Sequence, residues 1–254
     1  MRTSSKVAAI AAAFIAISVG FSVAHRTARA APAPTPIVVE LFSSEGCSSC
    51  PPADAFLRKL EQSQPVSGVA VLPLEFHVDY WNYLGWKDPF SKGEYSERQQ
   101  RYAESLRNHQ VFTPELIVQG TDVLEGADED GATSTIRTAA QKPLAHVDLA
   151  LDGDTVSVKV TGAPGDGADD VYDVWMAVTE SALSTNVADG ENRGRRLAHG
   201  PIVRNLVHVG RVSNGAFAGQ VTATLDSAWK RPHVKRVVFV QGNTSRRIVG
   251  ANAV

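Results

Sequence analysis

Apolar positions follow two patterns along the chain, and the change falls near Pro143. In the first part, nearly continuous apolar runs alternate with helical spacing. PIVVELF, Pro36 to Phe42, is short, apolar and rich in β-branched residues, which predicts a buried strand. ADAFLRKLEQ follows, with Phe56, Leu57 and Leu60 on one helical face, and predicts an amphipathic helix ending near Gln64-Pro65. VAVLPLEFHV, Val69 to Val78, predicts a second strand parallel to the first, since a strand–helix–strand unit brings parallel strands side by side. Ser91 to Asn108 is polar, with Tyr95, Tyr102 and Leu106 at helical spacing, and predicts a surface helix over the sheet. Val111 to Val118 carries Pro114 at the head of an apolar strand, where proline is tolerated. A turn at Gln119 to Asp122, a short returning strand at Val123 to Gly126 and a helix over about Asp128 to Gln141 complete this part.

After Pro143 the pattern alternates with period two. AHVDLALDGDTVSVKVTG predicts a hairpin turning at Asp152-Gly153-Asp154. Beyond a loop over Ala163 to Asp170, the segments VYDVWMAVTE, GPIVRNLVHVGRV, FAGQVTATLD, HVKRVVFVQGN and RRIVGANAV predict further strands. Glu191 to Gly200 (ENRGRRLAHG) predicts a polar loop between two of them. The fold expected is α/β over residues 31–143, followed by a β-rich, sandwich-like domain over 144–254.

Length and charge add bounds rather than detail. A chain of 254 residues accommodates one large domain or two modest ones, and 27 acidic against 25 basic residues, a net charge of −2, gives no footprint for nucleic acid. The N-terminus changes the picture more. Arg2 and Lys6 precede an apolar run from Val7 to Ala24, and Ala28-Arg29-Ala30 offers a small-x-small cleavage site. Residues 1–30 therefore read as a secretory signal peptide cut near Ala30, with an uncleaved anchor as the rival reading. The expected location is secreted or periplasmic, with no stable membrane span once the leader is removed.

Export places the only two cysteines, Cys47 and Cys50, in an oxidising compartment. They sit three residues apart at a strand-to-helix turn, Glu45-Gly46-Cys47-Ser48-Ser49-Cys50-Pro51-Pro52. A bridge between such near neighbours closes a tiny loop and stabilises little, which weighs against a purely structural role. The unpaired N–H groups of a helix start and its dipole favour a thiolate there, and Ser44, Ser48 or Ser49 is a candidate cap. Parallel strands end on one sheet edge, so His77 to Asp88 (HVDYWNYLGWKD) is expected to emerge beside the cysteines. His77, Tyr80, Trp81, Tyr83 and Trp86 are then candidates for a binding wall, or for ordinary packing. Glu75 or Asp79 is a candidate proton acceptor for a resolving thiol. Two thiolates with His77 or His109 form an alternative zinc or copper site. No hydrolase signature and no phosphate-cradling glycine loop is present.

The order strand, Cys47-x-x-Cys50, helix, strand, helix, Thr113-Pro114-strand, strand, helix resembles the thioredoxin fold. The resemblance implies thiol–disulfide exchange, with Cys47 as the exposed nucleophile, Cys50 as the resolving thiol, and a cis peptide at Thr113-Pro114 beside the pair, lining the substrate groove. The chain departs from thioredoxins in having Gly46 where they carry an aromatic, and Ser48-Ser49 where they carry Gly-Pro. The segment from ELFSSEGCSSCPPAD to HVDYWNYLGWKDPFS also resembles an uncharacterised secreted bacterial family (domain of unknown function 1223), which brings no established activity. The expected protein is a thiol–disulfide oxidoreductase acting on an exported protein or a small thiol or disulfide, without a cofactor. The alternatives are a redox-silent binding or scaffold module with a structural disulfide, and a copper-binding chaperone-like protein.

Overall fold

The first predicted strand, β1 (Thr35–Ser43), is buried on both faces from Ile37 onward, as its continuous apolar run requires. Ile37, Val39 and Leu41 point to one core, while Val38 and Phe42 point to another on the opposite face. The computed structural model describes residues 33–106, 110–165 and 170–254; the expected leader over 1–30, the cleavage site expected near Ala30, and His109 lie outside the described residues. Helix α1 (Pro51–Ser63) leads to β2 (Val69–His77), which pairs parallel to β1 from Thr35 opposite Val69 to Ser43 opposite His77. After a 3-10 turn at Asn82–Leu84 come helix α2 (Gly93–Ser105), strand β3 (Glu115–Val118), strand β4 (Asp122–Glu125) and helix α3 (Glu129–Ala139). Strand β3 is antiparallel to both β1 and β4. Phe56, Leu57 and Leu60 of α1 and Ile136 of α3 fill the core on one face of this sheet; Tyr95 and Tyr102 of α2 fill the core on the other.

Helix α2 is more than a polar cover. Its Arg98 and Gln99 are buried, because Arg98 Nη2 pairs with the buried Glu40 of β1 at 2.5 Å, and Gln99 Nε2 donates to the Phe112 carbonyl at 2.7 Å. A polar residue at a core-facing helical position is thus answered by a polar residue in the strand beneath it.

The remaining strands are β5 (His146–Asp152), β6 (Thr155–Thr161), β7 (Tyr172–Glu180), β8 (Ser184–Asn186), β9 (Arg196–Ala198), β10 (Ile202–Arg211), β11 (Phe217–Thr222), β12 (Val234–Gly242) and β13 (Ile248–Ala253). Four of them do not form a separate sheet. They extend the first one into an eight-stranded mixed sheet ordered β13-β12-β7-β10-β2-β1-β3-β4. The joint is a parallel contact between β10 and β2, with Ile202 opposite Glu75. The change of pattern near Pro143 is therefore not a domain boundary: Ala33–Val254 form one compact unit. The reason lies in a shared core, where Leu74 and Phe76 of β2 pack with Val203 of β10 and with Val237 and Phe239 of β12. Sandwich-like packing is confined to a three-stranded sheet, β11-β6-β5, whose Val156, Val158 and Val160 cover Val174, Met176 and Val238 of the large sheet. Among the described residues, no helix is long and apolar enough to cross a membrane.

Candidate functional site

The turn between β1 and α1 holds Cys47 and Cys50 as a disulfide with a Cα–Cα distance of 5.5 Å. Cys50 is the N-cap of α1, and Pro51 and Pro52 occupy the first helical positions, where an N–H would have no intrahelical partner. No side chain caps this helix, so the expected serine cap is not formed. Ser44 Oγ instead accepts from Gly46 N at 3.1 Å inside the turn, and Ser48 and Ser49 face solvent. Thr113-Pro114 is a cis peptide, and Pro114 lies beside the first turn of α1. Gly126 makes that approach feasible: a Cβ there would stand 2.8 Å from both Ala53 Cβ and Pro114 Cβ.

The pair is covered. Cys47 and Cys50 are each 0% exposed, which corrects the expectation of an exposed nucleophile. The cover is the loop of the β8–β9 hairpin, from the half of the chain expected to form a separate domain. Asn192, fully buried, donates its Nδ2 to the carbonyls of Glu45 and Cys47, both at 2.9 Å. Glu191 Oε2 accepts from Ser48 N at 2.9 Å. Arg195 Nη1 donates to Asn192 Oδ1 at 2.6 Å, and Val187 N to the Arg195 carbonyl at 2.9 Å, which closes the loop on itself. Trp81 packs against the turn at Gly46: a Cβ there would meet Trp81 Cβ at 3.0 Å and the Trp81 carbonyl at 3.3 Å, so glycine leaves the room that residue takes. Trp81 Nε1 donates to Thr113 Oγ1 at 2.8 Å, linking the aromatic segment to the cis-proline loop.

Beneath the turn lies a buried cluster of carboxylates and imidazoles. His77 Nδ1 is 2.7 Å from Asp88 Oδ2, and His77 Nε2 is 2.9 Å from Glu75 Oε1. His199 stands 3.1 Å from Glu45 Oε1 through Nε2 and 3.6 Å from Glu75 Oε1 through Nδ1, within ion-pair reach but not aligned for hydrogen bonding. Trp86 Nε1 donates to Glu45 Oε2 at 2.7 Å, and Asp88 Oδ2 also accepts from Glu45 N at 2.9 Å. Burial opposes charging of Glu75, yet His199 and His77 outweigh it and hold the carboxyl at about 2. Burial likewise works against a charged His199, but Glu45 and Glu75 prevail and raise it to about 9. Asp54, on the first turn of α1, is compensated less, because the charges of His77 and His199 and the Ser43 hydroxyl do not outweigh its burial. Burial first, then the charge of Glu75, pushes it from 3.8 up to about 7, against the Ser43 hydroxyl that donates to it at 2.6 Å.

The sequence-predicted residues divide accordingly. Cys47, Cys50, Pro114, Thr113 and Trp81 come together at one end of the sheet. His77 does not line a surface; it is 0% exposed, because its strand end is roofed by Phe90 and the His199 segment. Tyr80 turns toward α2, where its hydroxyl donates to Gln99 Oε1 at 3.0 Å, and Tyr83 is exposed. Glu75 is engaged by both histidines, and Asp79 accepts from Ser96, so neither is free to serve Cys50. Sequence reasoning missed Glu45, Asp54, Asp88, Asn192 and His199. Asp54 stands in plain view four residues after Cys50, whereas His199 and Asn192 lie in a polar loop whose approach only the tertiary fold reveals.

These features define a mixed α/β protein with a covered Cys-x-x-Cys disulfide above a buried carboxylate–imidazole cluster. The chain belongs to the family described as Protein of unknown function (DUF1223), whose model matches residues 38–241. A crystal structure of an Agrobacterium tumefaciens protein, a structural-genomics target, is similar over 88% of this chain and 96% of that one, with 31% identity and a TM-score of 0.70. No curated protein matches.

Proposed function

We propose that the chain is an exported thioredoxin-like protein whose Cys47–Cys50 pair exchanges disulfides with a partner once the Asn192 loop lifts. The observation that carries this reading is the convergence of the pair, the start of α1 and cis-Pro114, with a buried carboxyl poised near neutrality at Asp54. From the disulfide form, a partner thiolate attacks Cys47 Sγ and Cys50 leaves as a thiolate, for which the protonated Asp54, four residues on in the first turn of α1, is the proposed proton source. A second partner thiolate then attacks its own sulfur in the mixed disulfide, and Cys47 leaves. The partner dithiol is oxidised by two electrons and the pair is reduced; the reverse sequence reduces a partner disulfide. Asp54 suits the proton transfer because a group titrating near the working pH serves in both directions.

The second reading is a redox-silent module, and the complete burial of both sulfurs favours it. Dithiothreitol-driven reduction of a small disulfide-bonded protein separates the two. Turnover by the wild-type chain, lost in Cys47→Ser, supports exchange; equal rates in both defeat it. The export part of the proposal is tested by N-terminal sequencing of the mature protein, which is expected to start near Ala31.

A further inference from the structure

We infer that Glu75, His77 and His199 form a divalent-metal site of the zinc type, separate from the cysteines. Their donor atoms, one from each residue, all lie within 4.8 Å of one another, and all three residues are buried. Four ligands at Zn–N and Zn–O distances of about 2.0–2.1 Å stand about 3.3 Å apart in a tetrahedron. The Glu75 Oε1 to His77 Nε2 and Glu75 Oε1 to His199 Nδ1 separations, 2.9 and 3.6 Å, bracket that value.

Each donor is oriented from behind. Asp88 Oδ2 holds His77 through Nδ1 at 2.7 Å, which directs Nε2 inward. Glu45 Oε1 faces His199 Nε2 at 3.1 Å, which leaves Nδ1 for the pocket. Gly200 N donates to Glu75 Oε2, which leaves Oε1 as the oxygen that faces the two imidazoles. Carboxylate–imidazole pairs of this kind set tautomer and ring direction at metal centres.

The second, independent observation is an unmet need. Both nitrogens of His199 and Glu45 Oε1 are buried without an aligned hydrogen bond, which is uncommon for polar atoms of fully buried side chains. Three buried carboxylates, Glu45, Glu75 and Asp88, also meet at this point; protonated imidazoles offset part of their charge, and a dication bound by the deprotonated imidazoles would take over that role. Two imidazoles and a carboxylate are borderline donors that suit zinc better than magnesium or calcium. The thiolate-based site considered from the sequence is a different arrangement, because the sulfurs are bonded to each other.

The test uses the whole chain, stripped with chelator and kept oxidised so that no thiolate is available. Zn²⁺ alone, added to the folded protein and during refolding, is expected to bind one per chain and raise Tm. Co²⁺ is expected to give the strong visible bands of a four-coordinate site. His199→Gln and Glu75→Gln are expected to weaken uptake at least 100-fold, and Asp88→Asn about 10- to 100-fold. If these variants fail to fold, zinc-edge X-ray absorption on the wild type replaces them: two imidazoles with an oxygen donor support the site, and sulfur or no imidazole overturns it. Absence of uptake by the oxidised wild type under both conditions, or unchanged affinity in His199→Gln, also overturns it. Neither result bears on the exchange activity of the cysteines, so the two proposals fail separately.

Discussion

Asp54 is the residue at which burial and chemistry conflict most directly. Its carboxyl rises to about 7 in the folded chain against 3.8 ordinarily, so the native state holds that proton more tightly than the unfolded state does. The contribution to stability is then fully present below about pH 4 and is lost as pH rises toward 7. Asp54→Asn keeps an acceptor for the Ser43 hydroxyl and removes the titration. We expect urea unfolding to show the variant gaining on the wild type as pH rises from 4 to 8, by on the order of 2–4 kcal/mol at the top of that range. A constant difference across that range would contradict the assignment. The same substitution is expected to slow exchange at the cysteines if Asp54 serves Cys50.

At the scale of elements, α2 and the cis-proline loop carry the clearest tests. Arg98 and Glu40 form a buried pair, with Arg98 Nη2 also reaching the Tyr102 hydroxyl at 3.2 Å. Arg98→Met leaves Glu40 buried and uncompensated, and is expected to cost about 3–5 kcal/mol in denaturant unfolding, far more than a surface substitution. Gly126→Ala places a methyl 2.8 Å from Pro114 and Ala53. It is expected to cost about 1–3 kcal/mol by overpacking. The elements themselves were largely legible. β1, α1, β2 and α3 fall where the sequence predicts a strand, a helix, a strand and a helix, and α3 begins where expected, with Asp128 accepting from Gly131 N at its start. What spacing did not reveal is which polar residues are buried. Arg98 and Gln99 look like surface positions until Glu40, 58 residues from Arg98, is seen beneath the helix.

For the whole molecule, the sequence misleads at Pro143, because alternation of apolar residues reports the strands but not which sheet they join. The sheet runs through that point, so the full chain is expected to unfold in one transition, and a fragment of residues 33–143 is expected to lack cooperative unfolding. Independent folding of that fragment, seen by calorimetry, would contradict the shared core. The same continuity brings Asn192 over Cys47 from 145 residues away, a contact no local motif announces. The exchange proposal depends on that cover. Asn192→Ala leaves two buried carbonyls without their donor, worth about 1–3 kcal/mol, and every 1.4 kcal/mol is tenfold in an opening equilibrium. The most direct measurement is the rate at which dithiothreitol reduces the Cys47–Cys50 disulfide in the folded wild type and in Asn192→Ala. The account predicts slow reduction of the wild type and a rate about tenfold or more higher in the variant; equal rates would contradict it.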